Sequence, residues 1–121
     1  NYASLNNFES LEILPRLRVF FYRNCMVNIN NLEPLGDFPE LVELDLRNDA
    51  RKAFISNVMG LGKSKSIKFL HLPRNKITDL SELSTMTQLQ ELTLNYNPLK
   101  KTQIEELQKA LPNCKINHDA K

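Results

Sequence analysis

The feature that most constrains this chain is a repeat. In the segment Ile67-Lys68-Phe69-Leu70-His71-Leu72-Pro73-Arg74-Asn75-Lys76-Ile77, apolar residues stand at 67, 70, 72 and 77 and an asparagine at 75. Leu89, Leu92, Leu94, Asn97 and Leu99 occupy the same offsets 22 residues later. Leu41, Leu44, Leu46 and Asp49 form an earlier copy, and Leu17, Phe20, Tyr22 and Cys25 an earlier one still. Leu111, Cys114 and Ile116 begin a fifth, so the copies start near 17, 41, 67, 89 and 111. The connecting stretches repeat as well. Ile77, Leu80, Leu83, Met86 and Leu89 recur as Ile29, Leu32, Leu35, Phe38 and Leu41, and as Ile55, Val58, Leu61, Ser64 and Ile67. A fainter trace opens the chain at Leu5, Phe8, Leu11, Leu14 and Leu17.

Two periods alternate within each copy, and each has a physical meaning. Where apolar residues alternate with others, a short strand sends the former inward and the latter outward. Apolar residues at spacing three suit 3₁₀ or helical turns that bury one edge. A unit of this kind cannot bury its apolar face alone, so copies stack into a solenoid with one continuous core. The asparagine position turns the chain inward, where its amide can bond neighbouring backbone as a ladder. Asn75 and Asn97 meet that requirement, with Asp49 and Cys25 as substitutes.

These motifs resemble the leucine-rich repeats. Asn75-Lys76-Ile77-Thr78-Asp79-Leu80 is close to the 22-residue subclass found in bacterial internalins and phosphatase-regulating repeat proteins. The resemblance covers residues 5–117. It implies an α/β right-handed solenoid: a curved arc with short parallel strands on the concave face and 3₁₀ or helical turns on the convex face. One domain over 1–121 is expected, forming part of a longer protein. The last connection departs from the pattern. Thr102-Gln103-Ile104-Glu105 reads as a capping box, and Ile104, Leu107, Ala110 and Leu111 follow at helical spacing. A helix over 102–110 and a final strand over 113–116 are expected.

Composition excludes several function classes. The chain has 121 residues, a net charge of +2 and bases interleaved with acids, which argues against a nucleic-acid partner. No apolar run reaches the ~18 residues of a membrane span, so membrane insertion is not expected. Cys25 and Cys114 suit no paired-cysteine framework. Their inward positions, and the lack of any Asn-x-Ser/Thr site, lean towards a reducing, cytoplasmic compartment, with a secreted or surface-attached protein left open.

Catalytic and cofactor readings are weak. Gly60-Leu61-Gly62-Lys63-Ser64 resembles the end of a phosphate loop, but Asn57 stands where the first glycine belongs. A solvated basic turn is the preferred reading. His71 and His118 fall two repeats apart, ~10 Å at the ~4.8 Å strand spacing, too far to share a zinc ion. Neither cysteine has a histidine placed to activate it. No cofactor, no metal and no catalytic residue are expected.

The outward positions carry the functional expectation. Stacking the strands aligns Val19, Glu43, Phe69, Glu91 and Asn113 in one column, and Phe21, Asp45, His71, Thr93 and Lys115 in the next. Beyond them come Arg23, Arg47, Pro73, Asn95 and Asn117, then Asn24, Asn48, Arg74, Tyr96 and His118. Aromatic rings facing water on a rigid sheet gain little for folding but bury large area when a partner arrives. Arginines nearby can pair with acids at the rim. A non-catalytic protein- or peptide-binding face is therefore expected, built from Val19, Phe21, Arg23, Arg47, Phe69, His71, Arg74 and Tyr96. The alternatives are a structural repeat segment of a larger receptor or effector, or a recognition domain attached to an enzyme.

Overall fold

The computed structural model describes residues 18–21, 32–48 and 55–121. Five strands form one parallel sheet: β1 (Val19–Phe21), β2 (Glu43–Asp45), β3 (Phe69–His71), β4 (Glu91–Thr93) and β5 (Lys115–Asn117). They lie in chain order, each beside the next, so every connection returns to a neighbouring strand. Between strands, 3₁₀ turns stand at Glu33–Asp37, Leu61–Lys63 and Leu83–Thr85. The last connection is the helix α1 (Lys101–Ala110).

Spacing-three and alternating positions meet in one core. Leu44, Leu70 and Leu92 point inward from the strand centres and are fully buried. So are Leu35, Leu61 and Leu83 from the 3₁₀ turns opposite them. Each such side chain contributes ~1.5–3 kcal/mol by burial. Ser64 occupies a core position with its hydroxyl accepting the Ile67 backbone N–H at 3.3 Å, which satisfies a polar group among apolar neighbours.

The expected asparagine ladder is present. Asn75 accepts the Ile55 N–H through Oδ1 at 3.0 Å and donates through Nδ2 to the carbonyls of Leu46 at 3.1 Å and Leu72 at 3.2 Å. Asn97 does the same one repeat later, accepting from Ile77 at 3.0 Å and donating to Leu72 at 2.9 Å and Leu94 at 3.1 Å. Each amide thus closes its own turn and clamps the preceding repeat. Asp49 and Cys25, the expected substitutes, lie outside the described residues, as does the fainter trace that opens the chain.

Three local expectations are corrected. Ile116, not Cys114, pairs with Leu92, so β5 sits two residues later than the apolar template places it. The helix and the turn after it take up the extra length. Leu111 and Cys114 are buried, but in that turn rather than in the strand. The helix also begins at Lys101, with Lys100 as its N-cap. Gln103 Oε1 accepts the Lys100 N–H at 2.9 Å, so the expected reciprocal box from Thr102 is replaced by a glutamine half-box two residues earlier. Third, Asn48 is buried rather than outward.

Replacing Asn97 by Ala strands one buried N–H and the backbone carbonyls it serves. The loss expected is about 3 kcal/mol, since each abandoned buried polar group costs ~1–3 kcal/mol. Asn95→Ala, on the outward side of the same strand end, is expected to cost under about 0.5 kcal/mol. Urea unfolding followed by circular dichroism measures both.

Candidate functional site

The outward face of the sheet is the concave side of a solenoid of this kind. Its first column runs Val19, Glu43, Phe69, Glu91, Lys115, and its second runs Phe21, Asp45, His71, Thr93, Asn117. The two-residue shift of β5 replaces Asn113 by Lys115 and Lys115 by Asn117, while keeping inward and outward positions unchanged.

That register assembles a hydrogen-bonded relay across four strands. His71 lies between Glu43 on β2 and Thr93 on β4, with Nε2 at 3.3 Å from Glu43 Oε2 and Nδ1 at 3.1 Å from Thr93 Oγ1. A carboxylate only accepts, so the neutral ring carries its proton on Nε2 and accepts the threonine hydroxyl at Nδ1. Asn117 Nδ2 donates to Thr93 Oγ1 at 3.4 Å and to Glu91 Oε2 at 3.0 Å. Two carboxylates end the relay, one on each side of Phe69.

The expected binding residues are distributed as follows. Val19 is 39% exposed at one end of the sheet and Tyr96 is 59% exposed just past β4. Phe69 and His71 share β3 and are half-buried. Arg74 stacks on Tyr96 with its guanidinium carbon 4.3 Å from the ring centre, so these two act together. Both hold left-handed backbone, at φ 60° and 63°. That conformation is unusual for side chains of this size, and Asp119 secures it by accepting the Tyr96 N–H at 2.9 Å. Arg47 is already committed. Its Nε lies 3.0 Å from both Asp45 oxygens and its Nη2 2.8 Å from Oδ2, so the charge expected at the rim is neutralised within the chain and Asp45 is covered. Arg23 and the Phe21 side chain lie outside the described residues.

The glycine motif has a different role from the one it resembles. Gly60 adopts φ 89°, and the N–H groups of Gly60 and Gly62 both point at Glu82 Oε1, each at 3.1 Å. Converging backbone N–H groups can form an anion-binding concavity, and here the chain's own carboxylate fills it. A Cβ on Gly62 would stand 2.8 Å from that oxygen, so a side chain there would displace the Glu82 carboxylate from its seat. Lys63 pairs with Asp37 at 2.9 Å.

Off the sheet face, a cleft of about 400 Å³ opens between the 3₁₀ turn at Leu83–Thr85 and α1, with Asp79, Ser84 and Glu106 on its walls. No sequence signal marked it. Hydrogen bonds from Ser81, first from its backbone N–H, hold the Asp79 carboxyl below its ordinary value. Among the described residues, no group of three or more His, Cys, Asp or Glu is placed to hold a metal ion. Nor is any helix long and apolar enough to cross a membrane.

Comparison with known proteins agrees with the repeat geometry. Residues 65–109 match the family profile of two-copy leucine-rich repeats. The fold is that of a leucine-rich-repeat solenoid. A leucine-rich-repeat protein of Leptospira interrogans superposes with a TM-score of 0.78 at 24% identity, over 94% of this chain and 28% of its own. An internalin of Listeria monocytogenes gives 0.72 at 19% identity, over 94% and 32%. Internalin C2 of the same organism gives 0.69 at 19%, over 95% and 50%. The chain therefore spans half or less of each of these structures. No curated protein sequence matches it.

Cys114 is 5% exposed, and burial, followed by the nearby Glu91 charge, pushes its thiol pKa up. The folded chain therefore holds this proton longer than the unfolded chain. Stability from this group is full below the ordinary thiol pKa and falls as pH rises through the folded value. In a Cys25→Ser background at pH 8, a maleimide is expected to label Cys114 at least about tenfold more slowly than in urea. Equal rates would contradict its burial.

Proposed function

We propose that this chain is a non-catalytic interaction module that binds a protein or peptide through the outer face of its sheet. The observation that carries this reading is the contrast between the two sides. Apart from Met59, the turns and α1 bury their large apolar residues in the core, whereas the sheet side presents Tyr96, 59% exposed and anchored at its backbone, and Val19, 39% exposed. Rigid aromatic side chains of this kind bind at low entropy cost. Stacked repeats offer such a surface as an extended concave array.

A second reading is favoured by the share of its structural neighbours that the chain covers, from 28% to 50%. On that reading, these repeats shape one stretch of a longer arc whose main contacts lie elsewhere. A recognition domain attached to an enzyme is a variant of the same idea.

The test is capture from lysate of the source cells with the unmodified chain and a Val19→Ser/Phe69→Ser/Tyr96→Ser variant, with folding checked by circular dichroism. A Met59→Ser variant serves as control, because Met59 is 63% exposed away from the sheet. A partner held by the unmodified chain and the control but lost from the folded triple variant supports the outer face. Equal capture by all three assigns the contact to another surface.

A further inference from the structure

We propose that Phe69, Glu43 and Glu91 form a seat for the guanidinium of an arginine side chain on a partner protein. This rests on the outer face being the contact surface, and adds the chemistry of the group that docks at its centre.

The register places Glu43, Phe69 and Glu91 side by side on β2, β3 and β4. With neighbouring strands ~4.8 Å apart, the two glutamate backbones stand ~10 Å apart with the aromatic ring between them. A flat cation lying on that ring would have one of these glutamates on either flank. Both carboxylates are oriented in advance and only half used. Glu43 Oε2 takes the His71 ring N–H at 3.3 Å and Glu91 Oε2 takes Asn117 Nδ2–H at 3.0 Å. The two Oε1 atoms accept no hydrogen bond among the described residues.

Among the described residues, the neighbouring cations leave the seat unfilled. Lys115, the register neighbour of Glu91, is exposed and makes no ion pair with it. Arg47 is bonded to Asp45, and Arg74 lies over Tyr96. The centre of the face therefore offers negative charge around an apolar ring, with water excluded from one side by the sheet itself.

Arginine fits this arrangement better than lysine does. Guanidinium is planar and weakly hydrated, so it stacks on a ring while its edges donate to carboxylates on both sides. An ammonium is compact, strongly hydrated and reaches one carboxylate at a time.

The probe is N-acetyl-arginine amide, titrated into the ¹⁵N-labelled full chain and followed by NMR. The lysine and citrulline counterparts serve as ammonium and neutral controls. Saturable shifts centred on Glu43, Phe69 and Glu91 are expected for arginine, with binding about fivefold weaker for lysine and none for citrulline. Glu43→Gln/Glu91→Gln keeps oxygen acceptors for His71 and Asn117 while removing the charges, and is expected to weaken arginine binding at least about tenfold. Absence of saturable shifts, equal shifts with citrulline, shifts centred elsewhere, or unchanged binding by the double variant would each overturn the seat. Because the citrulline comparison uses the unmodified chain, it stands even if the variant folds poorly. For a captured partner, loss in the Val19/Phe69/Tyr96 variant but full retention by Glu43→Gln/Glu91→Gln sinks the seat and leaves the contact face standing. Retention by both removes the contact face and the seat together.

Discussion

Everything on the sheet face depends on the side-chain amides of Asn75 and Asn97. A strand of three residues has few ladder bonds of its own, and the chain leaves it through a sharp inward turn whose backbone groups are cut off from water. Each amide donates to carbonyls in its own turn and in the repeat before, and accepts the N–H that opens the preceding connecting stretch. Unmet, such buried groups cost ~1–3 kcal/mol each. The amides therefore fix both the turn and the stacking of one copy on the next.

Fixed stacking is what turns separate outward residues into a surface. Glu43, His71, Thr93 and Asn117 come from four different strands and are 22 to 28 positions from one another along the links that join them. They meet only because parallel register brings equivalent positions level. A slip of one residue in any strand would send its outward side chains into the core. The same register sets Phe69 between two carboxylates and leaves Tyr96 exposed beyond it, secured by Asp119 and faced by Arg74. Binding residues mounted this way have little freedom left to lose when a partner docks.

Most of this architecture was legible in the residues. Apolar residues at spacings three and two, with asparagine or aspartate after them, placed the centres of β2, β3 and β4 and the buried edges of the turns. The fifth strand was misplaced because Leu111, Cys114 and Ile116 satisfy the same apolar template, while Leu111 and Cys114 belong to the turn behind α1. Apolar spacing cannot separate a buried turn from a buried strand over so few residues. The outward column Glu43, Phe69, Glu91 could be read directly. What joins it to His71, Thr93 and Asn117 could not, since polar contacts depend on rotamers and on the corrected register. Arg47 shows the same limit: its pairing with Asp45, two residues away, is invisible to a lattice that treats every outward charge as available.

The most direct test of the sheet face as the contact surface is residue-resolved hydrogen exchange, measured on the chain alone and with a captured partner. Slowing concentrated at 69–74 and 91–97, with 78–85 and 101–110 unchanged, is the result this account requires. Slowing confined to the turn at 78–85 and to α1, with the strands unaffected, would contradict it and move the contact to the cleft between them.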